Sequence, residues 1–233
     1  TFRNCSNITG SIPGELFAGI SGAPDESSFA ETFAYMGVSG KIPGELFAGV
    51  RGEPDIQMFR YTFAGNRKLT GPIPEDLFAG ISGAPAEYMF ANTFEQCSGL
   101  GGNIPAGLFA GVSGAPAAGM FERTFNDAGV RSIPADLFAG ISGAPAENMF
   151  NGTFNWNPGL KSIPDGLFAG ISGPAANGMF NSTFASCSAL TGPSARINGQ
   201  YLYEIWPDIS SDTYTYSGAT KLSDYAQIPD NWK

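Results

Sequence analysis

The chain has 233 residues, with 12 Lys and Arg against 21 Asp and Glu, no histidine, and a formal net charge of −9. That balance argues against nucleic acid, whose phosphates are neutralised by clustered Lys and Arg, and against electrostatic docking on an anionic membrane. No run of about 18 apolar residues is present, so no bilayer-spanning helix is expected, while 42% hydrophobic residues suffice for a continuous core.

The opening residues Thr1-Phe2-Arg3-Asn4-Cys5 match Thr93-Phe94-Glu95-Gln96-Cys97, the middle of a repeating unit. The chain is therefore expected to be a fragment or processed form of a longer protein. The clearest copy of the unit runs from Ile73 to Leu100, IPEDLFAGISGAPAEYMFANTFEQCSGL. Its Ile-Pro returns at Ile12, Ile42, Ile73, Ile104, Ile133 and Ile163, a spacing of 29 to 31 residues. A fixed period in that range predicts a solenoid, in which each repeat buries its apolar surface against its neighbours.

Each unit divides into three pieces. The first, such as Leu69-Thr70-Gly71-Pro72-Ile73, is too short for a helix and predicts a brief strand paired in parallel with its copies. Pro74 then stops pairing, having no N–H to give, and suits the first position of a helix. Glu75 and Asp76 put carboxylates at the positive end of that helix. Leu77, Phe78 and Ile81 give it an apolar face, and Gly80 is expected to close it, after barely one turn, in a left-handed C-cap. The third piece follows a Ser-Gly-Ala-Pro linker. From Pro85 to Cys97, the residues Phe90, Phe94 and Cys97 fall at i, i+4 and i+7, the stripe of an α-helix. The positions between them vary (Glu87-Tyr88, Ala118-Gly119, Glu147-Asn148) and predict a solvated outer face. Phe90 and Phe94 recur from Phe29/Phe33 to Phe180/Phe184 and predict a buried aromatic spine.

Cys5, Cys97 and Cys187 occupy one repeat position, three rungs apart each time. Stacked strands rise about 4.8 Å per rung, which separates the thiols by at least roughly 14 Å, beyond the reach of a disulfide. Buried packing is expected of this slot, with no metal or redox role. The Thr column, Thr1, Thr32, Thr62, Thr93, Thr124, Thr153 and Thr183 with Thr215 as an eighth member, has the regularity of an ice-binding array. A Thr tucked beside the Phe spine is the simpler expectation.

The run from Thr93 to Pro105, with the pattern TFxxCSxLxxxIP, resembles the BspA-like bacterial leucine-rich repeats. Their units carry an aromatic, a Cys-Ser pair, a Leu and an Ile-Pro in that order. The resemblance covers residues 1–190 repeat by repeat. It departs from that family in its longer period, caused by the LFAGISGAPA segment, and in the units that lack the Cys. It implies a leucine-rich-repeat solenoid from a surface-exposed protein, often linked with adhesion. The expected fold class is thus α/β: short parallel strands on one face, short helices on the other, with residues 1–190 as the array and 191–233 as a C-terminal cap.

Within the cap, Ser194 to Ile197 and Gln200 to Tyr203 flank Asn198-Gly199, which predicts a β-hairpin on a two-residue turn. Thr215 to Leu222 echoes TFEQCSGL in spacing, and Ile228-Pro229 supplies a last Ile-Pro, so a degenerate final rung is expected.

Without histidine, the commonest general base and metal ligand is missing, and the paired carboxylates fall at helix starts. The expectation is a non-enzymatic protein with no cofactor, bound metal or catalytic residue. Two surfaces are candidate binding sites. One is the polar strand-side row just before each Ile, with Lys41, Asn103, Arg131 and Lys161. The other is the aromatic cap, with Tyr201, Tyr203 and Trp206 beside Tyr214 and Trp232. The function expected is an extracellular or cell-surface recognition and adhesion module for a protein or glycan ligand. A structural stalk that self-associates end to end at its N-terminal rung is the alternative, and ice binding through the Thr column a weaker one.

Overall fold

The computed structural model describes residues 2–209 and 213–233; Thr1 of the Thr column lies outside them. Its repeats stack in sequence order along two parallel seams. The first contains β1 (Thr9–Gly10) against β2 (Gly37–Val38) and β3 (Gly102–Asn103) against β4 (Val130–Ser132), continued by single bridges at Gly40↔Leu69 and Gly192↔Leu222. This is the strand piece the sequence predicts, cut to two or three residues by Ile-Pro. The second seam lies where a linker is expected: Gly52↔Ile81, Gly83↔Val112, Gly114↔Ile141 and Gly143↔Ile171 pair in parallel. The Ser-Gly segment is thus part of the ladder.

Gly80 does not cap a helix. It and its copies stay out of the left-handed region. A Cβ on Gly80 would fall on the Val50 carbonyl oxygen, and one on Gly111 on that of Ile81. Glycine recurs there because successive backbones touch. The short helix before it is a 3-10 turn, Gly14–Phe17 and Gly44–Phe47 in the first two repeats, with Leu77 N–H donating to Pro74 C=O in the third.

The larger correction concerns the third piece. Residues 85–97 form no α-helix, and the corresponding segment of every other repeat is also non-helical. Tyr88, Asn92 and Gln96 have φ of 54°, 57° and 55°, a conformation that breaks a right-handed helix every four residues. Alternate N–H groups donate to the carbonyl three residues back and close tight turns, as from Ala91 to Tyr88 (3.0 Å) and Thr93 to Phe90 (3.2 Å). The others leave the repeat altogether: Phe90 donates to Met120 (3.1 Å), Asn92 to Glu122 (2.7 Å) and Phe94 to Thr124 (2.9 Å) of the next rung. An α-helix would satisfy its amides internally, whereas this string of turns spends half of them on its neighbour. The left-handed side chains cost roughly 1–2 kcal/mol each. Rung-to-rung bonding and burial of Phe, roughly 1.5–3 kcal/mol per ring, offset that cost.

The core is built of stacked rings. Phe29, Phe59, Phe90, Phe121, Phe150 and Phe180 form one column with centroids 5.5 to 6.0 Å apart. Phe33 to Phe184 form a second, which continues onto Tyr216 at 6.0 Å. Phe78 and its copies make a third, inclined against the first at 4.6 to 5.3 Å. Beside the rings run side-chain donors. Thr93 Oγ1 donates to the Phe90 carbonyl of its own rung and the Phe59 carbonyl of the rung before. One column over, Cys97 Sγ donates to Phe63 C=O (3.0 Å) and Cys187 Sγ to Phe154 C=O (3.1 Å). Asn66 and Asn157 fill the same slot with an amide doing the same work. The three cysteines are free.

At the C-terminal end the hairpin forms as expected, β5 (Arg196–Ile197) against β6 (Gln200–Tyr201), with Asn198 and Gly199 both at positive φ. It is shorter than the sequence predicts because Leu202–Ile205 turns into α1, whose Glu204 side chain accepts the Tyr201 N–H. Phe184 N–H donates to Thr215 C=O and Tyr216 N–H to Trp232 C=O, so the ring columns end under the chain's last residues.

Candidate functional site

The strand-side row is present and exposed. Lys41, Asn103, Arg131 and Lys161 all face solvent. Lys161 N–H donates to Arg131 C=O (3.3 Å) and Ser132 Oγ to Asn103 Oδ1 (2.7 Å), so Asn103, Arg131 and Lys161 lie on consecutive rungs. Lys41 stands apart, its aliphatic stem over Gly71.

The cap aromatics turn inward. Trp206 is buried, its indole donating to Gly173 C=O (2.9 Å) and its ring 5.7 Å from Phe180. Tyr203 is buried with its hydroxyl on Asp224 Oδ2 (3.3 Å); burial and that carboxylate push its phenol pKa up. Tyr201 stacks on Tyr203 at 5.0 Å and is half-buried. Trp232 is fully enclosed, and Tyr214 stays exposed. Tyr203, Trp206 and Trp232 therefore close the core and present no ring face to a ligand. The Thr column is likewise spent internally: Thr32 to Thr215 are buried, with hydroxyls committed to Phe carbonyls. It offers no ice-binding surface.

The concavity with binding chemistry lies on the turn face, on a side the sequence marks only as solvated. The position after the second Phe is Ala34 and Ala64 in two early repeats and Ala185 in a late one. In the three repeats between, it is Glu95, Asn126 and Asn155. These line an open cleft of about 380 Å³ together with Arg123, Asp127 and Trp156. Glu95 is its floor, only 6% exposed. Its carboxylate accepts the amide groups of Asn92 (2.9 Å) and Asn126 (2.9 Å). Asn126 Oδ1 and Asn155 Oδ1 are buried acceptors without a donor among the described residues. Arg67 reaches over to Asp127 at 3.0 Å.

Trp156 is the wall of this cleft and is 61% exposed. It occupies the left-handed slot that Gly65 and Gly218 fill in other rungs, at φ 57°. Other rings on this face lie over glycine, Tyr35 over Gly65 and Tyr88 over Gly119. The Trp156 ring has no aromatic partner among the described residues.

The chain matches no family model, no curated protein and no solved structure. Among the described residues, no group of three or more His, Cys, Asp or Glu side chains converges to hold a metal, and no helix is long and apolar enough to cross a membrane.

Proposed function

We propose that the chain is a non-catalytic recognition module, a stacked-repeat solenoid of the leucine-rich type that holds its ligand in the Trp156 cleft. One observation carries the reading. Nearly all recurring residues are used to build the stack, while the polar substitutions at Glu95, Asn126 and Asn155 on three successive rungs coincide with an exposed ring on the last of them. A bulky side chain held at positive φ and left open to solvent is a feature that stability alone does not favour. The absence of histidine supports a non-enzymatic role, and the BspA-like resemblance supports the leucine-rich-repeat assignment and a cell-surface setting. The test is capture of the protein on immobilised glycans and proteins, with and without Trp156→Ala. Capture lost in the variant while its thermal midpoint holds supports the cleft; equal capture by both proteins removes it.

A second reading has its own observation. Phe2, Ile8, Leu16 and Ile20 of the first rungs are 40 to 46% exposed, an apolar edge suited to end-to-end stacking. Light scattering across a concentration series separates the two: a monomer at all concentrations excludes assembly through that edge.

A further inference from the structure

Resting on the recognition reading above, the cleft's own chemistry narrows the ligand. Its lining is polar, with donors from Gln96 and Arg123 and acceptors from Asp127, Asn126 and Asn155. Asn126 Oδ1 and Asn155 Oδ1 are buried and unpartnered among the described residues. A buried acceptor left unmade costs roughly 1–3 kcal/mol, so these two amides are polar groups that the stack itself does not satisfy. The Asp127 carboxylate adds acceptor oxygens, and its Arg67 partner lies outside the cleft lining. The buried Glu95 carboxylate gives the floor a negative charge, which disfavours a phosphate, sulfate or carboxylate ligand. Arg123, on the rim, is the single cation in the lining. Against this polar floor stands one wide, exposed indole.

An apolar face to lie on a ring and several hydroxyl donors along its edge belong together in one ligand class. A pyranose has both: axial C–H groups on a face and equatorial hydroxyls around its rim. The cleft is open and spans three rungs, from Glu95 through Asn126 to Asn155, which suits consecutive units of a chain. We propose that the Trp156 cleft binds a neutral polysaccharide, one sugar ring stacking on the Trp156 indole while hydroxyls of that and the next unit hydrogen-bond with the Asn155 side-chain amide and the Asp127 carboxylate.

The protein carries a reporter for this. Trp206 and Trp232 are buried in the cap, so collisional quenching of tryptophan fluorescence by acrylamide reads chiefly Trp156. The probes are soluble hexasaccharides of β-glucan, xylan and mannan, with polygalacturonate as the anionic counterpart, each also titrated by calorimetry. The expected result is that at least one neutral hexasaccharide protects Trp156 from acrylamide and that polygalacturonate does not. Trp156→Ala should weaken that binding about tenfold or more, as loss of a central aromatic contact does. Trp156→Tyr should restore much of it, and Asn155→Ala should weaken it several-fold. Both positions are partly or largely exposed, so the variants keep the fold, checked by the thermal midpoint. Binding that survives Trp156→Ala unchanged overturns the site. Protection by polygalacturonate alone overturns the neutral-sugar assignment. Capture of arrayed proteins through Trp156 with no response to any saccharide also overturns the sugar proposal while leaving recognition at the cleft intact.

Discussion

The Thr93 hydroxyl donates to the Phe59 carbonyl of the preceding repeat at 3.0 Å while also reaching the Phe90 carbonyl of its own at 2.7 Å. One hydroxyl thus ties two rungs at the point where the ring columns pass. Thr93→Val keeps the volume and removes the donor. It is expected to lower stability by about 0.5–1.5 kcal/mol in chemical denaturation, with Thr93→Ser recovering part of it. An unchanged midpoint in the Val variant would show that the hydroxyl contributes nothing to stacking.

Phe94 lies in the second ring column between Phe63 and Phe125, with centroids at 5.6 and 5.7 Å. Truncation to Ala opens a cavity in the middle of the stack and should cost about 3–5 kcal/mol. A loss below about 1 kcal/mol would take Phe94 out of the core.

Gly80 is required by the Val50 carbonyl against it. Gly80→Ala should raise helix propensity if the residue sat in a helix, yet here it should destabilise by roughly 1–3 kcal/mol through overpacking. Stabilisation by that substitution would contradict the close approach of the two backbones.

Burial pushes the thiols of Cys97 and Cys187 up to about 12 from an ordinary 9.0. An unfolded chain releases these protons near pH 9 while the folded one keeps them. The unfolded state therefore binds fewer protons above that pH, and stability falls as pH rises from about 9 towards 12. The denaturant midpoint should drop across that window, less steeply in a Cys97→Asn variant, whose amide takes the donor place Asn66 and Asn157 hold in other rungs. At pH 8 a thiol reagent should modify Cys5, which is exposed, and leave Cys97 and Cys187 until the chain is denatured. Rapid labelling of all three in the native protein would contradict the buried slot.

Trp156 sits at φ 57° where Gly65 and Gly218 serve elsewhere. Trp156→Gly relieves a left-handed side chain worth roughly 1–2 kcal/mol, against a smaller entropic loss from glycine in the unfolded chain. The variant should be as stable as the parent or up to about 1 kcal/mol more so, while losing ligand. A destabilised Trp156→Gly would mean that the ring has a structural task.

The stack itself was legible in the sequence because its signals are periodic: Ile-Pro, the paired Phe and the Cys slot each mark a level. The conformation of residues 85–97 was not, because Phe90 and Phe94 four apart suit both a 3.6-residue helix and a four-residue string of turns. The residues between and beside the Phe pairs held the distinction. Gly119, Gly152 and Gly178 sit where an α-helix would lose about 1 kcal/mol each, and Asn92, Asn148 and Asp127 share those left-handed slots. The Gly80 repeat was misleading in a related way, since a glycine after an apolar turn marks a C-cap and a backbone contact equally well. For the site, the aromatic richness beyond Tyr201 drew attention to the cap, where Trp206 and Trp232 are absorbed by the ends of the Phe columns. Trp156 was hidden as one variable position among many. The readable signal was its neighbourhood, the Ala position that becomes Glu95, Asn126 and Asn155 in three successive repeats.

The most direct test sets the two faces against each other. Binding of a neutral hexasaccharide is measured by calorimetry for the parent chain, for Trp156→Ala, and for a variant with Lys41, Arg131 and Lys161 all changed to Ala on the strand side. The turn-face account predicts about tenfold or greater weakening in Trp156→Ala and parental affinity in the strand-side variant. Parental affinity in Trp156→Ala, with binding lost when the strand-side cations are removed, would contradict it.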